Sequence, residues 1–220
     1  MERIEDLMIG NLKIYQDDEL YRFTSDSILL TKFTKVKKND IVADFCSGTG
    51  IVGIHLYALN PTIKKVCLFE IQKELSALSQ KSIKLNNLEN IFEVYNIPIQ
   101  EISSSFNNYF SLITVNPPFF KENTEKCEDI RIAMCREEIT VNLEEIIKIS
   151  AKKLKFGGRL NMVNKADRLA EIFYLMKLYK LEPKKLQFIS GGIDKEPYLV
   201  LIEGVKGGKE GLKILKTLVN

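Results

Sequence analysis

The chain has 220 residues, 45% of them hydrophobic and 28% charged, which suits one globular domain with a sizeable core. Its formal charge is only +3, so bulk charge does not by itself announce a nucleic-acid binder. No apolar run reaches membrane-spanning length and no signal-peptide core follows Met1, so a cytoplasmic protein with no membrane partner is expected.

Residues 12–16 and 19–23, separated by Asp17 and Asp18, read as a small hairpin. Thr24-Ser25-Asp26 then offers a helix N-cap ahead of Ser27-Ile28-Leu29-Leu30. From Asp40 onward short apolar runs alternate with helix-length segments. Strands are expected at 41–46, 65–70, 91–96, 111–116 and 159–164, and helices at 51–59, 73–85, 143–154 and 166–179. Asn60-Pro61 and Asn86-Asn87 stop two of these helices, and Gly157-Gly158 reads as the cap of a third. Residues 185–189 and 198–203 follow as two strands with no helix between them, joined by Gly191-Gly192-Ile193-Asp194. The pattern predicts an α/β fold: a Rossmann-like, seven-stranded, mostly parallel sheet with one antiparallel strand and helices on both faces. It divides into a hairpin and helix extension at 1–35 and a catalytic domain at 36–220.

Cys46, Cys67, Cys127 and Cys135 form no C-x-x-C pair, and the single His55 lies far from them in sequence, so no metal is expected. Cys46 and Cys67 sit in strand-like runs and read as small core residues. His55 reads as a helix residue facing its neighbours.

The chemistry begins at Asp44-Phe45-Cys46-Ser47-Gly48-Thr49-Gly50, between a strand and a helix. Gly48 and Gly50 permit a tight turn and close approach to a ligand. Gly48-Thr49-Gly50-Ile51-Val52-Gly53 also fits G-x-G-x-x-G, and Glu70 stands at the end of the next strand to hold ribose hydroxyls. These residues leave NAD and S-adenosylmethionine both open. Asp44 favours the latter, because a carboxylate can order the turn and face a cationic amino-acid end but repels a pyrophosphate. Asn96, closing the third strand, is either an adenine contact or a turn residue.

Asn116-Pro117-Pro118-Phe119 follows the fourth strand, at the carboxyl edge where ligands of such sheets bind. An aryl amine is a poor nucleophile because its lone pair is delocalised. The Asn116 side-chain oxygen and the Pro117 carbonyl can each accept one amine hydrogen and aim that lone pair at a methyl donor. Pro118 fixes the backbone and Phe119 offers a ring for base stacking. The long stretch from Phe120 to Thr140 reads as a substrate lid, with Arg131 and Arg136 as candidate phosphate contacts. Lys152, Lys153, Lys155, Lys184 and Lys185 are a further candidate basic patch.

With these residues in view the chain resembles the bacterial tRNA (adenine-N6)-methyltransferases that modify the adenine 3′ of the anticodon in a valine tRNA. The likeness runs from Phe23-Thr24-Ser25-Asp26-Ser27-Ile28-Leu29-Leu30 through the donor loop, Glu70 and Asn116-Pro117-Pro118-Phe119. It continues in Arg136-Glu137-Glu138, Leu154-Lys155-Phe156-Gly157-Gly158-Arg159, Leu181-Glu182-Pro183-Lys184-Lys185 and Leu201-Ile202-Glu203-Gly204. It departs at Asn164-Lys165-Ala166 and at Met134-Cys135-Arg136-Glu137-Glu138, both outside the expected donor pocket. The resemblance implies S-adenosylmethionine as cofactor, tRNA as partner and adenine N6 as target. It implies a donor site of Thr24, Asp26, Asp44, Ser47, Gly48, Thr49, Gly50, Glu70, Ile71, Asn96, Ile97 and Asn116. Catalysis falls to Asn116, Pro117, Pro118 and Phe119, and RNA contact to Arg22, Lys121, Arg131, Arg136, Lys165 and Arg168. N2-guanine rRNA and N5-glutamine protein methyltransferases carry closely similar Asn-Pro-Pro-aromatic turns, and these four residues do not separate them. An NAD(P)-dependent oxidoreductase and a non-catalytic RNA-binding module are the readings from other classes.

Overall fold

The computed structural model describes residues 1–20, 24–119, 133–135 and 138–220. The chain opens with β1 (Glu2–Asp6) antiparallel to β2 (Lys13–Asp17), a two-stranded sheet of its own. The expected hairpin therefore pairs differently: residues 13–17 partner the segment before them, and residues 21–23 of the expected second strand lie outside the described residues. Asp17 ends the strand, with its Oδ1 accepting from the Glu19 N–H at 3.0 Å and from the N-terminal ammonium at 2.8 Å. Glu-Arg-Ile-Glu-Asp of β1 is almost wholly exposed and lacks an apolar alternation, so periodicity gives no sign of it.

Helix α1 (Ser25–Phe33) leads into β3 (Ile41–Phe45), α2 (Ile51–Leu59), β4 (Lys65–Phe69), α3 (Lys73–Leu85), β5 (Phe92–Tyr95) and β6 (Phe110–Val115). Then come α4 (Leu143–Lys153), β7 (Leu154–Lys165), α5 (Leu169–Leu178), β8 (Leu181–Ser190) and β9 (Pro197–Lys206). The two-residue strands β10 (Lys213–Ile214) and β11 (Leu218–Val219) both lie along β8.

The strand order is β10-β8-β9-β7-β6-β3-β4-β5, and only β9 runs against its neighbours. Seven strands thus carry the sheet as expected, with the two short C-terminal pieces added at its edge. From β3 the chain steps outward to β4 and β5, then returns to β6 on the other side. That reversal makes the carboxyl edge between β3 and β6 the switch point at which such sheets bind ligands.

Both faces of the sheet are covered. Val42, Leu112 and Val163 join Leu30 of α1, Ile54 of α2 and Ile83 of α3 on one side. Ala43, Phe45, Ile113 and Met162 join Ile146 of α4 and Ile172 of α5 on the other. Every residue of β6 is buried for this reason, which is why the central strands read as continuous apolar runs. Among the described residues no helix is long and apolar enough to cross a membrane.

The end of α4 corrects a second expectation. The helix stops at Lys153 and β7 begins at the next residue, so Gly157-Gly158 lies inside a strand rather than capping a helix. Pairing with β6 shifts register between Phe110 and Leu112. A side chain on Gly158 would bring its Cβ to 2.8 Å from the Lys155 carbonyl oxygen and 3.1 Å from that of Phe110. The pair is there for a bulge and a close backbone approach.

Candidate active site

The loop from β3 to α2 is held by two carboxylates. Asp44 is 1% exposed. Its Oδ1 accepts from the Thr114 hydroxyl at 2.7 Å, and its Oδ2 from the Gly53 N–H at 3.2 Å, in the first turn of α2. Gly50, the residue before the helix, has no side chain to cap it, so a carboxylate reaching up from β3 does the work of an N-cap. Burial pushes the Asp44 carboxyl up to about 7, with the two hydrogen bonds opposing the shift.

Glu70, 5% exposed, accepts from the Gly48 N–H at 2.7 Å and the Gln72 N–H at 2.9 Å. Burial raises its pKa, and the backbone bonds from Gln72, Gly48 and Ile71 work against that. Gly48 has a φ of +56° and nothing within 4 Å of the place a Cβ would occupy, because that place opens into a cleft. Thr49 beside it accepts a 2.7 Å bond from Gln16 Nε2 of β2.

The cleft holds about 830 Å³ counting its open mouth. Ser47, Gly48, Thr49, Glu70, Ile71, Ile97, Asn116 and Pro118 line it, as the sequence suggests. Ser27 of α1 and Cys46 line it as well. Cys46 is half-buried, packed against the core on one side and lining the cleft on the other, whereas Cys67 is fully buried in β4 as expected.

Thr24, Asp26, Gly50, Pro117 and Phe119 are not lining residues, and neither is Asp44. Asn96 donates from Nδ2 to the carbonyls of Glu70 at 2.8 Å and Ile71 at 2.9 Å, so it fixes the end of β4 from outside. Phe119 is half-buried, with part of its ring packed against the cluster beneath α1 and α2. Burial raises the Asp26 pKa, opposed by hydrogen bonds from Thr24 and Ser25.

Asn116 donates from Nδ2 to the Ser27 hydroxyl at 3.0 Å, and its Oδ1 has no partner among the described residues. Sequence reading missed Ser27 and Gln16. Ser27 belongs to the Thr24-Ser25-Asp26 opening already singled out, but nothing local in Gln16 signals its bond to Thr49.

The side chains expected on RNA fare unevenly. Arg22, Lys121, Arg131 and Arg136 lie outside the described residues, as does Cys127. Lys165 is half-buried at the carboxyl end of β7. Arg168 is corrected: it is 9% exposed, at 2.5 Å from Glu138 and 3.0 Å from Glu171, and so ties α5 to the segment before α4. The expected lysine patch is broken up too. Lys153 is buried, its ammonium donating to the carbonyls of Ile102 and Ser103, each at 2.8 Å, and Lys185 pairs with Glu203 at 2.8 Å. Among the described residues no group of three or more His, Cys, Asp or Glu is placed to hold a metal ion.

The electrostatics separate the two cofactors left open by the glycines. A dinucleotide places a pyrophosphate against free N–H groups at a helix N-terminus. Here the N–H groups of Gly48 and Gly53 already face internal carboxylates. No Lys, Arg or His lines the cleft among the described residues, and Glu70 does. A cationic ligand with a ribose fits this site. Ser47 also lines the cleft, and its shielded hydroxyl has no hydrogen-bond partner among the described residues.

Known proteins agree. A "tRNA1(Val) (adenine(37)-N6)-methyltransferase" of Parabacteroides distasonis is 23% identical over 190 residues, covering 86% of this chain and 79% of that protein. The crystal structure of a predicted O-methyltransferase from Agrobacterium tumefaciens superposes with a TM-score of 0.69 at 17% identity, over 88% of this chain and 86% of that one. A tRNA m1G37 methyltransferase from M. jannaschii does so with a TM-score of 0.65 at 16% identity, over 94% of this chain and 55% of that one. At these identities the two structures speak for the fold. Residues 22–180 match the model of the methyltransferase small domain, and with that span of the chain accounted for the protein belongs to this family.

Proposed function

We propose that the protein transfers a methyl group from S-adenosylmethionine to the exocyclic N6 of an adenine in tRNA, next to the anticodon. The observation that carries this reading is the placement of Asn116. It stands at the carboxyl edge of β6 with its amide oxygen unpartnered among the described residues, on the same cleft as Glu70 and the Gly48 turn.

When bound, S-adenosylmethionine supplies an electrophilic methyl group on a sulfonium. Glu70 has carboxylate lone pairs beyond the backbone bonds it accepts, and these would receive ribose hydroxyls. Ser47, Gly48, Thr49, Ile71 and Ile97 line the same cleft and would hold the donor, the two isoleucines offering apolar surface to its adenine. Asn116 Oδ1 and the Pro117 carbonyl hold the two hydrogens of the target amine, which localises its lone pair toward the donor. Rate then comes from positioning, and no strong base is needed before transfer. The adenine assignment is supported by the name of the Parabacteroides relative and by the Thr24-Ser25-Asp26 opening.

Incubation with methyl-labelled donor and total tRNA, followed by digestion to nucleosides, tests it. Label is expected in N6-methyladenosine. Label confined to methylguanosine, or to protein, overturns the adenine reading.

A further inference from the structure

Ser27 has no role in the function proposed above. It sits in the first turn of α1, is 2% exposed, and shares the cleft with Asn116. Its hydroxyl oxygen is 3.0 Å from Asn116 Nδ2.

We propose that Ser27 is a positioning residue that holds the Asn116 amide with its oxygen toward the target amine. The inference rests on the reading that Asn116 meets that amine. A primary amide has two ends of nearly equal shape and opposite hydrogen-bonding character. Only the oxygen end can accept an amine hydrogen. When Oδ1 turns to the cleft, Nδ2 must turn away from it, into the protein. A buried N–H with no acceptor is costly, so the productive orientation needs an acceptor behind the amide. Ser27 is that acceptor. A hydroxyl can also rotate to donate, so Ser27 does not choose the end by itself. The target's hydrogens choose it, and Ser27 removes the penalty for that choice. Without the hydroxyl the productive orientation strands Nδ2, and the amide spends less time in it. The two residues are 89 positions apart and meet because α1 packs against β7, the neighbour of β6 in the sheet.

The test is single-turnover methyl transfer to saturating total tRNA, with donor affinity measured separately using S-adenosylhomocysteine. Ser27→Ala is expected to slow transfer about tenfold and to leave donor affinity within twofold. Thr and Val at this position have the same shape, so their comparison isolates the oxygen: Ser27→Thr should transfer several-fold faster than Ser27→Val. In an Asn116→Ala background, Ser27→Ala should cost nothing more, because its partner is gone. A wild-type rate in Ser27→Ala, equal rates for Thr and Val, or losses that multiply in the double variant overturn the inference. A wild-type rate in Asn116→Ala overturns the role of Asn116 and this inference together. Impaired Asn116→Ala beside normal Ser27→Ala overturns this inference alone.

Discussion

The two walls of the cleft are built in different ways. On the donor wall, both Glu70 oxygens and both Asp44 oxygens are already bonded, mostly to backbone N–H groups, and the loop between them is fixed before any ligand arrives. On the target wall, Asn116 has a single side-chain bond among the described residues, from its amide nitrogen to Ser27. A wall held by many backbone bonds loses little when one side chain changes conformation. A wall held by one contact is where a small substitution alters rate without altering the fold.

The largest expected effect crosses the two walls. Asn116→Ala should lower single-turnover methyl transfer a hundredfold or more, about 3 kcal/mol in the barrier, with S-adenosylhomocysteine affinity nearly unchanged. Glu70→Ala should first weaken donor affinity, by roughly tenfold to a hundredfold, through loss of a charge-assisted acceptor and of the Gly48 anchor. Titration calorimetry on both variants reads this directly. If Asn116→Ala loses donor affinity as severely as Glu70→Ala, the Asn-Pro-Pro-Phe turn is part of the donor wall and the comparison collapses.

Asp44 sharpens the donor side. It stands behind the loop, so Asp44→Asn should affect stability more than donor affinity, the opposite of Glu70. The pH dependence has a definite sign. Its carboxyl titrates at about 7 in the fold against 3.8 in the unfolded chain, so the fold binds this proton more tightly. The stability this confers is complete below about 3.8 and is lost as pH rises through about 7. Urea melts between pH 4 and 8 should therefore show the stability difference, wild type minus Asp44→Asn, falling with pH. One proton limits that slope to about 1.4 kcal/mol per pH unit. A flat difference would mean that Asp44 stays ionised throughout.

Much of this arrangement is legible in the sequence, and the parts that are not share a cause. The bounds of α2 and α3 follow from apolar stretches ended by Asn60-Pro61 and Asn86-Asn87, because helix stops are local chemistry. The donor loop, Glu70 and Asn116 are legible because a turn between strand and helix has few solutions. What sequence does not carry is direction. Asp44 and Asn96 are present as expected, yet both point at protein groups rather than into the cleft. The Gly157-Gly158 pair reads as a helix cap until β6 is seen beside it. Gln16 and Ser27 reach the site from 33 and 89 residues away, and no local pattern encodes contacts of that kind.

The smallest expected effect concerns how α1, which carries Ser27, is seated. Thr31 lies one turn beyond Ser27, and its hydroxyl donates to the Ile28 carbonyl at 2.8 Å. The same oxygen is 2.8 Å from His55 Nδ1 of α2. The hydroxyl proton is already used, so the proton between these two atoms belongs to Nδ1, and His55 is the neutral Nδ1–H tautomer. Burial lowers the His55 pKa, and the nearby Lys32 charge adds to that. Below about pH 6.5 the unfolded chain therefore takes up a proton that the fold resists. The contribution is whole above that pH and declines beneath it, opposite in sign to the effect of Asp44. His55→Asn should remove this acid-side decline. Thr31→Val leaves a buried N–H unpaired and should cost about 1–2 kcal/mol at pH 8, read from urea melts. Because the seat of α1 loosens rather than breaks, methyl transfer should slow by only about twofold to threefold, with donor affinity unchanged. A loss of donor affinity in Thr31→Val would place α1 on the donor wall, and Asn116 would then no longer mark a separate side of the cleft.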